Sequence, residues 1–207
     1  MYTKFLELET EKQKRIINAA LKEFARNGYE KASTNEIVKQ AGISKGLLFH
    51  YFGSKKNLFL FLYDYTSKIF IEEFLALIDL EERDILARWR QHSLLKFDLI
   101  HKYPEMFNFI IIANQIQPDE IQEEMQSRNR NISTVGYEKL FGNIDESKFK
   151  DDIDVRKAIS IIKWTMDGFA NAEQQKMKMS DPSEMDFDGM LADLDAYFET
   201  LKKCFYK

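Results

Sequence analysis

The chain has a single cysteine, Cys204, among its 207 residues. An internal disulfide is therefore excluded, and a reducing cytoplasm is the expected setting. There are three prolines, all beyond residue 103, and eight glycines. That excludes collagen-like or low-complexity chains and leaves long helices with few breakers. Long apolar runs are also missing. The longest uncharged stretch, 106–118, covers 13 residues, against ~20 for a membrane-spanning helix, so no membrane partner is expected. The opening Met-Tyr-Thr-Lys-Phe-Leu-Glu-Leu-Glu brings acids at once and no apolar core of a secretion signal. No glycine-rich phosphate loop, GxSxG elbow or zinc spacing occurs, and the three histidines, His50, His92 and His101, are scattered. An enzyme is not expected, and neither is a metal or cofactor.

What is present is charge, unevenly spread. Residues 1–60 hold 11 Lys+Arg and 6 Asp+Glu, net +5, while 61–207 hold 19 and 28, net −9. A basic head on an acidic body suits a head that meets nucleic acid and a body that does not. The periodicity is helical almost throughout. Ile16, Ile17, Ala20, Leu21 and Phe24 recur at three- and four-residue steps, and Gly28 reads as a stop. A short helix is expected over 34–41, opened by a Ser33/Glu36 capping box. Ala41-Gly42-Ile43 then turns the chain, and Ser44 caps a second short helix over 45–51. Gly53-Ser54 leads into a long helix from Lys55 to about Ile78. Further helices are expected over 81–103, 104–115, 118–141, 154–178 and 187–206, with Pro104 and Pro118 at first turns. The stretches 142–152 and 180–186 read as loops. No period-two run is long enough for a strand.

Two short helices joined by a glycine-containing turn make a helix-turn-helix, whose second helix has the width of the DNA major groove. The segment from Gly28-Tyr29-Glu30-Lys31 through Ser33-Thr34, Ala41-Gly42-Ile43-Ser44-Lys45-Gly46-Leu47-Leu48-Phe49-His50-Tyr51-Phe52-Gly53 to Leu58 resembles the N-terminal signature of TetR/AcrR-family transcriptional regulators. The resemblance covers about residues 10–60. It implies an all-α fold: an N-terminal three-helix domain over 1–54, joined to a larger helical ligand-binding and dimerisation domain over 55–207. It places Lys45, Gly46, Leu47 and Phe49 at base edges, with Gly46 allowing close backbone approach and Leu47 and Phe49 facing thymine methyl groups. His50, Tyr51 and Lys55, with Ser33 and Thr34 at a helix start, fall at phosphate-contacting positions. Leu47 stands where many relatives carry a small or polar residue. Ile37, Val38, Ala41, Leu48, Phe52 and Leu58 are expected in the head's core.

For the body the resemblance implies a homodimer and a ligand cavity. The wide apolar stripes of the last two helices are the expected dimer interface, with Ile162, Met166 and Phe169 on one and Leu191, Leu194, Phe198 and Leu201 on the other; packing within one subunit is the alternative, and both are expected in part. Trp89, Phe97, Phe107, Ile110 and Asn114, with Tyr137, Phe141, Trp164 and Asp167, are the expected ligand contacts. Acidic, aromatic surroundings favour a cationic amphipathic ligand. The expected function is a sequence-specific DNA-binding transcriptional regulator. It would be a repressor, released from a double-stranded operator by a small hydrophobic or amphipathic effector. A DNA-binding architectural or cell-cycle protein with a filled body is the alternative.

Overall fold

A computed structural model describes residues 2–115, 118–177 and 186–207. The expected loop at 180–186 lies outside them except for Asp186. Ten α-helices occur among the described residues: α1 (Thr3–Leu6), α2 (Thr10–Lys31), α3 (Thr34–Ala41), α4 (Lys45–Phe52), α5 (Lys55–Glu73), α6 (Ile85–Lys102), α7 (Pro104–Gln115), α8 (Asp119–Phe141), α9 (Val155–Met177) and α10 (Phe187–Phe205). Two 3₁₀ turns, Leu75–Leu77 and Glu146–Lys148, lie between them. The fold is all-α, as expected.

Several boundaries differ from the sequence expectation, each for a local reason. Gly28 breaks the helical course of α2, as a stop signal would, with φ 66° and ψ 178°, but a helical segment resumes beyond it to Lys31. The helix expected from residue 81 begins at Ile85, because Asp84 Oδ1 accepts from the N–H groups of Leu86 (2.9 Å) and Ala87 (3.2 Å) and so caps it. Helix α1 was not expected at all. It has no side-chain cap, and it is held by Phe5, which is fully buried.

The chain divides into two compact units, Met1–Ala76 with Leu99–Gly136, and Leu77–Asp98 with Tyr137–Lys207. In the first, α2 runs along α7, with Phe24 and Phe59 meeting Phe109 at 6.3 and 5.1 Å between ring centroids. Most of the expected head core is in place: Ile37, Ala41, Leu48, Phe52 and Leu58 are at most 3% exposed, while Val38 is half-buried.

In the second unit α9 and α10 pack together. Its centre holds Arg88, a fully buried guanidinium. Burial and the nearby Arg83 lower its pKa from the ordinary value, while Glu82 and Asp79 oppose them. Its Nε donates to Glu82 O (2.7 Å), and its Nη1 donates to the carbonyls of Gly142 (2.6 Å), Lys139 (3.2 Å) and Leu140 (3.4 Å). Nη2 donates to Leu80 O and again to Glu82 O. The planar fork thus satisfies the last carbonyls of α8 and the turn before α6, which would otherwise be buried without donors. Nearby, Lys148 Nζ (2.8 Å) and the Tyr206 hydroxyl (3.0 Å) donate to Asp84 and tie the C-terminus to the start of α6.

Candidate nucleic-acid interface

The turn between α3 and α4 reverses at Gly42, whose φ of 65° and ψ of 40° are left-handed, a region costly for any residue with a Cβ. Each helix start is capped. Ser33 Oγ accepts from Glu36 N (3.4 Å), Ser44 Oγ from Leu47 N (3.2 Å) and Ser54 Oγ from Asn57 N (3.0 Å). The capping box expected at Ser33 is only half formed. The Ser33 N–H donates not to Glu36 but to Glu23 Oε1 (2.8 Å), an oxygen that also accepts from Asn27 Nδ2 (2.9 Å). Glu23 is 6% exposed, so a buried carboxylate of α2 fixes where α3 begins.

Helix α4 buries Leu48, Tyr51 and Phe52 and turns the other side outward. Lys45, Gly46, Leu47 and His50 are exposed there, and Phe49 is half-buried beside them. A Cβ on Gly46 would meet only Ser44 Oγ, at 3.9 Å, so its value for folding is small. Ser33 and Thr34 are half-buried at the start of α3.

Two of the expected phosphate contacts also have partners within the head. Tyr51 is 9% exposed, its ring against Phe5 at 6.1 Å, because positions 48, 51 and 52 share one helical face. Lys55 is committed within the head: its Nζ donates to Glu30 O (3.0 Å) and lies 5.1 Å from the Tyr29 ring centroid. Burial lowers its pKa, against the pull of Glu120, Glu23 and Glu30.

Residues 16–62 match the model of bacterial regulatory proteins of the tetR family. The head over these residues carries the tetR-family signature. A 55-residue stretch is 49% identical to the HTH-type transcriptional regulator YuxN of Bacillus subtilis, spanning 27% of this chain but only 19% of that protein. The similarity to the fatty acid metabolism regulator protein of Bacillus subtilis is longer: 28% over 169 residues, 75% of this chain and 82% of that one. The fold is also that of AibR, solved with isovaleryl coenzyme A and operator DNA (TM-score 0.67, 16% identity, 88% of this chain and 95% of that one).

The other site expectations divide between the two units. Of the ligand candidates, Phe107, Ile110 and Asn114 belong to the first unit, and Trp89, Phe97, Tyr137, Phe141, Trp164 and Asp167 to the second. Asn114 Oδ1 accepts from the Tyr63 hydroxyl at 3.2 Å, and that hydroxyl also donates to Asn129. Burial pushes the Tyr63 pKa up to about 12, so it remains a donor. Trp89, Tyr137 and Phe141 form an aromatic chain, with centroids 5.9 Å apart from Trp89 to Phe141 and 4.8 Å from Tyr137 to Phe141. The Trp89 indole N–H is buried without an acceptor among the described residues. Trp164 and Tyr137 are 68% and 51% exposed, and Asp167 pairs with Lys163 Nζ at 2.7 Å, so these three stand on the surface of their unit.

The dimer candidates are for the most part packed within the chain. Ile162, Met166, Leu194, Phe198 and Leu201 are already buried within one chain, because α9 and α10 pack on those stripes. Phe169 and Leu191 are half-buried. The apolar groups left outside are Ile161, Trp164 and Tyr197, at 41%, 68% and 47% exposure. Ile161 opens a second face.

Proposed function

We propose that this tetR-family transcriptional regulator represses by binding an operator as a homodimer and lets go when a small hydrophobic or amphipathic molecule binds. The observation that carries the reading is α4. Its Lys45, Gly46, Leu47 and His50 face outward around a half-buried Phe49, while Leu48 and Phe52 anchor the helix from behind. A helix held this way enters a major groove and presents two apolar side chains to base methyl groups and two basic ones to base edges or phosphates. Ser33 and Thr34 would approach the backbone from the start of α3. Residues 1–54 serve as the reader and 55–207 as the sensing and pairing part.

A single head of this size reads few base pairs, so a two-fold dimer with half-sites one turn apart supplies the missing specificity. Ile161, Trp164 and Tyr197 supply the uncovered apolar area that such a pairing needs. Release requires the effector to bind one head spacing better than the other. Helix α5 is the natural transmitter. It starts in the head and is tied to α8 by Arg128, whose Nε and Nη2 donate to Asp64 at 2.6 and 3.1 Å, and by the Lys56–Glu124 pair at 2.6 Å.

The test is a binding titration on a duplex enriched from a random-sequence pool by the wild-type protein. Lys45→Ala with His50→Ala should cost on the order of tenfold or more in affinity and flatten the salt dependence, since phosphate contacts set that slope. Dimerisation and helicity should stay unchanged. Undiminished binding by that double variant would refute the assignment of α4.

A further inference from the structure

One groove of the first unit is lined by no residue of the recognition helix and by none of the residues expected to hold an effector. It encloses about 1260 Å³ between α2, α5 and the junction of α6 with α7. Its apolar side includes Ile17, Leu21, Phe61, Ile69 and Met106, and Tyr2, Tyr65 and Tyr103 also line it, the Tyr103 hydroxyl donating to Glu73. That is the volume and the mixture of a small-molecule site: mostly apolar walls with a few polar groups to orient the occupant.

The charges around it are lopsided. The α5 wall contributes Asp64, Glu72 and Glu73, and each is engaged: Asp64 by the Arg128 fork, Glu73 by Lys102 and the Tyr103 hydroxyl, and Glu72 by Lys68 at 3.8 Å. The α2 wall contributes Lys14, Arg15 and Lys22 and no acid. Lys14 is paired outside the groove with Glu11 at 3.0 Å, while Arg15 and Lys22 have no ion pair among the described residues. Seven residues apart, these two lie roughly 10 Å from each other along one helical face, with Asn18 between them. Glu105, at the start of α7, is the lining carboxylate without an ion pair among the described residues.

We propose that this groove binds an amphipathic anion, its hydrocarbon part along Phe61, Ile17 and Ile69 and its anionic group at Arg15 and Lys22. This is a second site, opposite in charge preference to the cationic ligand that the acidic body suggests. Occupancy would reach the recognition helix by a short route. The Phe61 ring lies 5.3 Å from Phe52 at the end of α4, 5.2 Å from Phe5 and 4.9 Å from Tyr2. A molecule wedged against Phe61 therefore pushes on the cluster that sets the tilt of α4. The binding claim stands by itself, and the effect on DNA rests on the regulator reading above.

The experiment titrates the full chain calorimetrically with dodecanoate and, separately, with dodecyltrimethylammonium, which has the same chain and the opposite charge, both below micelle formation. Dodecanoate should bind saturably and at least tenfold more tightly than the cation. Arg15→Glu with Lys22→Glu should weaken it by about tenfold or more, and Asn18→Trp, which fills the groove without altering charge, should do the same. A diazirine-bearing dodecanoate should label α2, α5 or the start of α7. Equal or tighter binding of the cation, unchanged affinity in both variants, or labelling confined to α9 and α10 would overturn the proposal. If dodecanoate binds as expected but wild-type protein ignores the selected DNA, the regulator reading fails and the site stands.

Discussion

Phe5→Ala is the substitution on which the structure makes its sharpest demand. Phe5 is 0% exposed, and its ring lies 4.8 Å from Phe52, 5.2 Å from Phe61 and 6.1 Å from Tyr51 between centroids. Removing a fully buried phenylalanine ring costs ~3–5 kcal/mol through lost transfer free energy and the cavity left behind. For a chain of this length that lowers the melting temperature by about 6–20 °C, at 2–4 °C per kcal/mol. Helix α1 has only four residues and no side-chain cap, so without this anchor its register rests on Tyr2 against Phe61 and on Gln13 Nε2, which donates to Leu6 O. The neighbours that lose their support, Tyr51 and Phe52, are the last two residues of α4. Affinity for the selected operator duplex should therefore drop about tenfold even at 10 °C, where the variant is still folded. Phe5→Leu should restore most of both quantities. Thermal melting by circular dichroism and fluorescence anisotropy on labelled duplex read the two effects separately. A melting point within 2 °C of wild type would show that α1 does not dock as described. A normal affinity beside a lowered melting point would show that α1 does not position α4.

Two further outcomes concern the second unit. Arg88→Met should destabilise by at least about 3 kcal/mol, because five carbonyls lose a buried donor at once; urea unfolding with a cost below 1 kcal/mol would count against the arrangement. At Asp84, burial raises the pKa, but Lys148, the Ala87 N–H and the Tyr206 hydroxyl outweigh it and hold the carboxyl below its ordinary value of 3.8. A depressed folded pKa contributes stability above the unfolded value and loses it as pH falls through the folded one. Asp84→Asn should therefore flatten the fall in stability below about pH 4, and parallel acid limbs for the two proteins would refute the tie.

Local signals carried far in the sequence. Ser33, Ser44, Ser54 and Gly42 marked the turns of the head to within a residue, because caps and a positive φ depend on short-range chemistry. Pro104 opened α7 for the same reason. Tyr51, placed at a phosphate by resemblance, shares a helical face with Leu48 and Phe52 and is mostly buried, a position that spacing alone also allows. Arg88 left no trace, since an arginine on an amphipathic helix reads as a solvated cation until its carbonyl partners, some 50 residues away, are in place. Helix α1 had a signal that was not used, Tyr2, Phe5 and Leu6 at three- and four-residue steps beside the chain end. The two apolar faces of α9 merged into one stripe because periodicity gives the width of a face and not what covers it.

The same distinction applies to charge. The head's surplus of positive residues suggested a surface dressed broadly in cations, yet the structure removes several of them from that role. Lys55 closes on Glu30, Lys56 donates to Glu120 O and pairs with Glu124, and Lys14 pairs with Glu11. On the outward side of α4 there remain Lys45 and His50 around Leu47 and the edge of Phe49. A recognition helix with so little charge and so much apolar surface discriminates through methyl contacts and groove shape more than through bidentate hydrogen bonds. Its sequence preference should then lean toward thymine-bearing steps and depend on the exact tilt of α4. That tilt is set from behind by Phe52, Phe61 and Phe5, so on the proposed reading the aromatic cluster would matter for DNA recognition as much as the outward residues of α4.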